Sequence, residues 1–355
     1  KSSDWYFHHH DTQKDYQSVI LHVVYFNDVD VSELKNAGIP TLELKDYIDD
    51  KILSKYQSLE NHFDFIPCES IFEPKKIPFL FSEETLLKKL DEKSIEIEHL
   101  LNQSKNNYEA VLFQKLAYSF GLKVNAEIYQ NIAENIEFKI IQKISQNQFQ
   151  LESLLFGKGN LLEKETEINK KWRTEFEFIK IKFQISDEVF PVKFLRLMPP
   201  SFPTIRLSQL ANLYHLQPNL FSKILNAKNI QELKSYFENV KTSEFWENHF
   251  TFEKSSEEKT EKFLSDDFVE ILLINAVLPI IYTYYKNLNP EKTEQILEFY
   301  KNLKPEKNSI ISQWKKQGVK PNSALETQAF LFHHKHFCSE KNCLNCSIGF
   351  QILKS

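Results

Sequence analysis

Two short apolar runs near the start of the chain predict β-strands. Residues 19–24 (VILHVV) lie between polar segments, which is typical of a buried strand, and residues 39–44 (IPTLEL) alternate between apolar and polar side chains. A polar connection separates the two runs, and the pattern becomes helical from Asp46 onward. The start of the chain therefore predicts a small α/β part.

From about Glu83 the apolar residues recur at helical spacing almost to the end of the chain. A helix is expected over residues 108–120, with Gly121 as its C-terminal stop and Asn125 as the cap of the next helix. Further helices are expected over residues 138–156, 266–288, 291–303, 310–317 and 323–337. The chain is therefore predicted to be mainly α-helical.

These patterns predict two domains. Residues 1–78 are expected to be the remainder of an α/β domain that is truncated at its start, because the sequence begins with Lys1 and its one methionine is Met198. Residues 79–355 are expected to form a large helical domain that ends in a cysteine cluster.

The most apolar segment predicts a core helix rather than a membrane span. Residues 269–281 include Glu270 and Asn275 and are fewer than the ~20 apolar residues that a bilayer needs. Pro279 is expected to bend this buried helix. No membrane association is predicted.

Charge and glycine content narrow the range of functions. A formal net charge of −5 does not favour a broad, sequence-independent grip on nucleic acid. The six glycines form neither GxGxxG nor GxxxxGK[ST], which excludes the usual Gly-rich phosphate loops from this sequence. Arginine is rare, so Arg196 and Arg206 are expected to serve where lysine would not, for example in forked hydrogen bonds.

A cysteine cluster near the C-terminus predicts a metal site. Cys338, Cys343 and Cys346 follow the spacing C-x4-C-x2-C, which lets one turn present three sulfurs to one point. Thiolates grouped in this way bind zinc or an iron–sulfur cluster. We expect zinc, which is the usual ion of closed structural sites, with an iron–sulfur cluster as the alternative.

The fourth ligand is left open by the sequence. His336 would give three thiolates and one imidazole, whereas Cys68 would give four thiolates and use every cysteine in the chain. His333 and His334 are weaker candidates. The competing interpretations are unpaired reduced thiols and a disulfide. A disulfide is disfavoured because three close cysteines and one distant one pair badly, and reduced thiols are typical of an intracellular protein. A cytoplasmic location is therefore expected, and the site is expected to fasten the C-terminal tail.

Two further groups of residues carry candidate chemistry. His8, His10 and His22 could serve acid–base chemistry or bind a divalent metal, although a surface turn and one satisfied core histidine is the favoured explanation. Arg196 and Arg206 flank a proline-stiffened segment and could hold a phosphate or carboxylate. Their alternative role is to tie this segment to neighbouring helices.

Three blocks of the chain carry a family resemblance. They are Ser3-Asp-Trp5 with His8 and His10, the segment FPTIRLSQLA at residues 202–211, and Thr327-Gln-Ala329 followed by the C-x4-C-x2-C cluster. Together they resemble a bacterial family described as a domain of unknown function. The resemblance implies that an N-terminal part of such proteins looks like the restriction-endonuclease-like core. It also implies that two acidic residues, which would bind magnesium or manganese, precede Lys1.

Two functions are consistent with the sequence. The first is a non-catalytic role, in which the helical body and the metal-tied tail present a surface to a protein partner. The alternative is a metal-dependent nuclease-like enzyme that acts on DNA or RNA phosphodiesters, with His8, His10 and His22 lining the pocket and Arg196 and Arg206 holding phosphate. The first is favoured because the sequence contains no complete catalytic set.

Overall fold

A computed structural model gives the structure of the chain and describes residues 1–60 and 65–354. The chain divides into two compact units. Unit 1 comprises Lys1–Phe79, Lys316–Val319 and His333–Ser355. Unit 2 comprises Leu80–Lys315 and Lys320–Phe332.

The α-helices and β-strands follow one another along the chain with short 3-10 turns between some of them. In order they are α1 (Asp4–Phe7), β1 (His22–Val24), α2 (Ser32–Asn36), β2 (Thr41–Glu43), α3 (Asp50–Glu60), α4 (Phe81–Gln103), α5 (Tyr108–Phe120), α6 (Leu122–Glu134), α7 (Phe138–Ile144), α8 (Gln148–Lys158), α9 (Lys170–Phe183), α10 (Pro203–Leu216), α11 (Leu220–Asn226), α12 (Ile230–Ser235), α13 (Asp266–Leu272), α14 (Leu278–Tyr285), α15 (Pro290–Asn302), α16 (Ser309–Lys316), α17 (Ala324–His333) and α18 (Ser347–Lys354). The predicted class, mainly α with a small N-terminal α/β part, is confirmed.

Unit 1 contains a two-stranded parallel sheet, with His22 opposite Thr41 at the start of the pairing. Both strands are only three residues long, shorter than the sequence pattern suggested. Because parallel strands cannot be joined by a tight hairpin, α2 lies in the connection between them. A small core forms beside the sheet from Trp5, Val31 and Leu34.

The cysteine-bearing segment belongs to unit 1. The sequence-based division had assigned it to the helical domain of residues 79–355, but residues 333–355 group with the N-terminal elements. The physical reason is local packing, since α18 lies against α3 within this unit. Sequence order alone could not reveal this return of the chain.

Unit 2 is a helical body with one large apolar core. Neighbouring helices pack in pairs, α5 against α6 and α8 against α9, while α4 lies against the distant α14. Aromatic rings fill much of the interior, and Trp246, Tyr129 and Tyr214 are almost completely buried. Apolar burial on this scale is sufficient to hold a helical domain together without a metal.

The predicted helix over residues 108–120 and its stop at Gly121 are confirmed, but the expected conformation of Gly121 and the expected cap at Asn125 were wrong. Gly121 adopts a right-handed helical conformation rather than the left-handed one of a C-terminal stop, and α6 begins at the next residue. Asn125 does not cap a helix. It lies inside α6, where its side chain exchanges two 2.8 Å hydrogen bonds with the backbone of Lys193. A long-range contact therefore outweighs the local preference of asparagine for a cap.

Another predicted helix, over residues 138–156, is interrupted. Asn147 accepts hydrogen bonds from the backbone N–H groups of Phe149 and Gln150, and so begins α8 as a separate helix. Asparagine at this position satisfies N–H groups that the first turn of a helix leaves unpaired. Asn147 is a signal for this interruption in the sequence, but the apolar pattern that continues on both sides of it favoured a single helix.

The apolar C-terminal segment of unit 2 forms a continuous helical stretch, Asp266–Tyr285, which includes a π-helical turn at Leu273–Val277. By length and composition it could cross a membrane, but 78% of its most apolar window is buried inside the protein. The prediction of a buried core helix is therefore confirmed.

Candidate metal centre

Four free cysteines occupy turns and helix ends within unit 1. Cys338 ends the π-helical turn His334–Cys338 that follows α17, and Cys343 begins a 3-10 turn. Cys346 directly precedes α18, while Cys68 precedes the 3-10 turn Glu69–Ile71. Each sulfur therefore sits where the chain changes direction, and none is carried in the middle of a regular α-helix.

The four thiols act on one another electrostatically. The pKa of the Cys68 thiol is raised to about 12, first by burial and then by the neighbouring Cys346 and Cys343. Burial also raises the pKa of Cys338 well above its usual range, with added contributions from Cys346, Cys68 and Cys343. Cys68 is thus near the three tail cysteines although it is far from them in sequence. The thiols share one low-dielectric environment that disfavours uncompensated negative charge.

The sulfur of Cys346 is held by the backbone that follows it. The N–H of Gly349 donates to Cys346 Sγ at 3.2 Å, and burial raises the pKa of this thiol while hydrogen bonds from Gly349 and Ile348 oppose that rise. A Cβ atom at Gly349 would lie 2.4 Å from the carbonyl oxygen of Cys343, so no other residue fits without a shift of the turn. N–H groups aimed at sulfur stabilise a thiolate, which is the form that binds metal.

The histidines near the cluster occupy different environments. His333 is 2% exposed, and its Nε2 lies 3.3 Å from Cys346 Sγ. His334 is engaged at both ring nitrogens, with Phe65 O at 3.2 Å and Ser339 Oγ at 3.3 Å. His336 is half-buried in the same π-helical turn, but it is not among the groups that shift the pKa of Cys338. Cys68, one of the two predicted fourth ligands, contributes to the raised pKa of Cys338.

The donor set fits a soft cation, but the side chains are not arranged as a finished coordination shell. Among residues 1–60 and 65–354, no group of three or more His, Cys, Asp or Glu side chains could hold a metal ion as it stands. Binding would require the four sulfurs to turn toward a common point. Four thiolates satisfy the tetrahedral preference of zinc and equally match the ligand number of an iron–sulfur cluster.

The predicted histidine group is assembled around one tryptophan. The Trp5 ring lies edge-on to His10 at 5.6 Å and to His22 at 5.4 Å, and the His8 and His10 ring centroids are 5.7 Å apart. His22 Nδ1 lies 3.1 Å from Thr41 Oγ1 on the neighbouring strand, and burial lowers the pKa of His22. The three histidines are therefore neighbours in unit 1, as the candidate acid–base site requires.

The two candidate arginines differ sharply in environment, and both belong to unit 2. Arg196 is exposed and adopts a left-handed backbone conformation with a φ of 63°. Arg206 is 9% exposed and lies in the first turn of α10. Arg206 lines a cavity that does not include Arg196 among its lining residues. The structure therefore does not join the two guanidinium groups into one anion clamp.

Comparison with known proteins places the chain in a family. Residues 1–309 match the model of a family described as "Protein of unknown function (DUF2851)". The chain belongs to this family. Neither the curated proteins nor the solved structures gave a match. The DUF2851 match includes Cys68 and Arg206 but ends before Cys338, so three of the four thiols lie beyond the matched residues.

Sequence reasoning missed the residues that support the thiols. Gly349 was not recognised as a donor to Cys346, and His333 was ranked only as a weaker candidate ligand although its Nε2 lies 3.3 Å from the same sulfur. One signal was available, because a glycine three residues after the last cysteine of a cluster allows the backbone to fold back toward sulfur. The position of His333 depends on a π-helical turn for which the sequence gives no sign.

Proposed function

We propose that unit 1 is organised by a structural zinc centre of four thiolates, Cys68, Cys338, Cys343 and Cys346. In this proposal the protein is non-catalytic, and the centre fixes the C-terminal tail so that unit 1 presents a defined surface to a protein partner in the cytoplasm. The observation that carries the proposal is the gathering of four interacting thiols, three of them buried and Cys338 half-buried, from two distant parts of the chain.

The energetic argument concerns charge compensation. Four buried thiols gain little from one another as neutral groups, and as thiolates they would repel. A divalent cation stabilises the thiolate form over the thiol form, because it pairs with the negative sulfurs and releases their protons. The N–H group of Gly349 would then support the Cys346 thiolate, as outer-shell donors do in metal sites.

Zinc is preferred over iron–sulfur because a closed site of four protein thiolates needs no further ligand or redox partner. Cys68 is preferred over His336 as the fourth ligand because burial and the tail thiols both act on it. The cytoplasmic location rests on the four free thiols, which a reducing compartment preserves.

Elemental analysis of the full-length protein tests this proposal. We expect about one zinc per chain by the four-ligand rule, and an absence of the brown colour that an iron–sulfur cluster gives. The Cys68→Ser variant should lose zinc, whereas His336→Gln should retain it. Iron together with acid-labile sulfide would instead identify the alternative cofactor, an iron–sulfur cluster. A metal-free, fully folded wild-type protein would contradict the proposal altogether.

A nuclease-like function is the second candidate, and the grouping of His8, His10 and His22 favours it. These rings lie beside a parallel sheet and supply groups suited to proton transfer near neutral pH. Magnesium or manganese on acidic residues would be needed to activate water for phosphodiester hydrolysis.

Incubation of the full-length protein with end-labelled DNA and RNA tests this second candidate. Cleavage that requires magnesium or manganese, is abolished by chelator and is lost in the His22→Gln variant would support it. The His9→Gln variant is the control, because His9 is exposed and has no ring contact with Trp5 among the described residues. The absence of metal-dependent cleavage would eliminate the candidate.

A further inference from the structure

Arg206 presents a buried positive charge to a cavity in unit 2. The guanidinium carbon lies 3.7 Å from the centroid of the Phe268 ring, so one face is covered by an aromatic side chain. Nη1 donates to Gln209 Oε1 at 3.0 Å, while Nε has no hydrogen-bond partner within the described residues. A buried donor of this kind has lost its water without a replacement, which is costly unless a ligand supplies the acceptor.

The immediate surroundings do not neutralise this charge. Burial lowers the pKa of Arg206 to about 10, and the other contribution to its pKa comes from Tyr129 rather than from a carboxylate. Gln209 is fixed as a neutral acceptor because its Nε2 donates to the carbonyl oxygens of Lys262 and Phe263 at 3.0 and 3.2 Å. Even so, Arg206 keeps its proton at physiological pH, since its pKa remains far above 7.

The cavity beside Arg206 is large enough for a small metabolite. Its volume is about 410 Å³, which lies within the range of small-molecule sites. Apolar surface comes from Ile205, Phe250 and Phe263, and polar groups come from Ser265 and Gln209. The ammonium group of Lys262 also lines the cavity, but its Nζ is already engaged as a donor to the carbonyl oxygens of Trp246 and Glu247.

The acidic side chains of the lining restrict the charge of the ligand. Glu247 and Glu261 are paired with Lys259 and Lys241, respectively. Glu258, in contrast, is an exposed carboxylate at the cavity wall with no ion-pair partner within the described residues. A dianion such as phosphate would meet repulsion from this carboxylate, whereas a monoanion needs only Arg206.

We propose that this cavity binds a small organic molecule with one carboxylate group, which pairs with Arg206 while its apolar part lies against Phe250 and Phe263. Carboxylate geometry matches the planar fork of a guanidinium group, and a carboxylate oxygen would accept from Nε. The exposed Arg196 takes no part in this site. The proposal is independent of the metal centre, because every residue in it belongs to unit 2.

Calorimetric titration and thermal denaturation of the full-length protein test the proposal. The probes are sodium benzoate, sodium 3-phenylpropionate and inorganic phosphate at matched ionic strength. We expect the two monocarboxylates to bind and raise the melting temperature, and phosphate to do neither. Arg206→Met should weaken carboxylate binding about ten- to hundred-fold, whereas the exposed control Arg196→Met should bind as the wild type does.

The melting temperature of the ligand-free variants separates a binding role from a structural one. Methionine can pack on Phe268 without a charge, so Arg206→Met should fold with an unchanged or higher melting temperature. Failure of both monocarboxylates to bind wild-type protein would overturn the proposal. Binding of phosphate in preference to carboxylates would overturn it too, as would equal carboxylate affinity of the wild-type and Arg206→Met proteins.

Discussion

The two units differ in what holds them together. Unit 2 buries one extensive core of helices, whereas unit 1 has a small apolar core near its sheet, formed by Trp5, Val31 and Leu34, and further buried apolar side chains on α18. Several apolar side chains of unit 1 remain on its surface, including Phe7 at 77% and Ile20 at 87% exposure. A small core supplies little stabilisation, and small domains commonly compensate with metal or covalent links. The four thiols of unit 1 provide the groups for such a link.

Metal removal is expected to have the largest effect and to act on unit 1 alone. Structural zinc sites in small domains contribute apparent binding free energies on the order of 10 kcal/mol. Chelation should therefore speed amide hydrogen exchange in α18 and around Cys68, while α5 in unit 2 keeps its protection. Hydrogen-exchange mass spectrometry measures both regions in one sample. Readdition of zinc is the control, and equal protection with and without metal would remove the contrast between the units.

The Trp246→Ala variant is expected to show the second largest effect, through the core of unit 2. Trp246 is 0% exposed, and its ring lies 5.4 Å from Phe156 and 5.1 Å from Phe252. Removing it should lower the free energy of unfolding by about 3–5 kcal/mol, measured by denaturant titration, with no change in zinc content. Phe178→Ala is the control because Phe178 is 51% exposed. Loss of zinc from Trp246→Ala would show that the units are not energetically separate.

The Gly349→Ala variant is expected to show a smaller effect, confined to the metal turn. The added methyl group would lie 2.4 Å from Cys343 O, so the turn must move and the N–H bond to Cys346 must lengthen. We expect a loss of about 1–3 kcal/mol, seen as weaker zinc retention in a chelator competition. The exposed Ser347→Ala variant should retain zinc normally. Equal retention by Gly349→Ala would show that the turn does not support the sulfur.

The smallest expected effect depends on pH and arises at Glu152 in unit 2. This buried carboxyl accepts from Ser208, from Ser243 at 3.0 Å and from Trp172 at 3.2 Å, yet burial raises its pKa above the usual value of 4.5. A raised carboxyl pKa stabilises the fold at low pH, and that contribution is lost as pH rises through the folded-state pKa.

The neutral Glu152→Gln variant lacks this titration. Its free energy of unfolding should therefore rise relative to that of the wild type as pH rises from about 5 to about 8, by roughly 1 kcal/mol or less. Thermal denaturation across this range checks the sign. A wild-type protein that gains stability relative to Glu152→Gln over the same range would contradict the assignment of a raised pKa.

Local sequence patterns predicted the helical class because apolar spacing reflects which face of each helix is buried. The helix at residues 108–120 was predicted to the residue, since its apolar stripe lies within the segment. Asn125 was misassigned because its partner, Lys193, lies far along the chain. The π-helical turns have no comparable local signal. The return of residues 333–355 to unit 1 and the approach of Cys68 to the tail have no local signal either.

The same limit applies to the candidate sites. The spacing of Cys338, Cys343 and Cys346 identified the chemistry, because three sulfurs within one turn can converge. Sequence could not choose between Cys68 and His336, since that choice depends on which segment packs beside the turn. It also treated Arg196 and Arg206 alike, whereas burial separates the exposed residue from the one that faces a cavity.

X-ray absorption at the zinc edge of the purified full-length protein tests the central claim most directly, because it counts the atoms bound to the ion. The account predicts four sulfur neighbours at about 2.3 Å from zinc, falling to three in the Cys68→Ser variant if any zinc remains. Three sulfurs and one nitrogen in the wild-type protein, or no bound metal at all, would contradict a centre that joins Cys68 to the C-terminal tail.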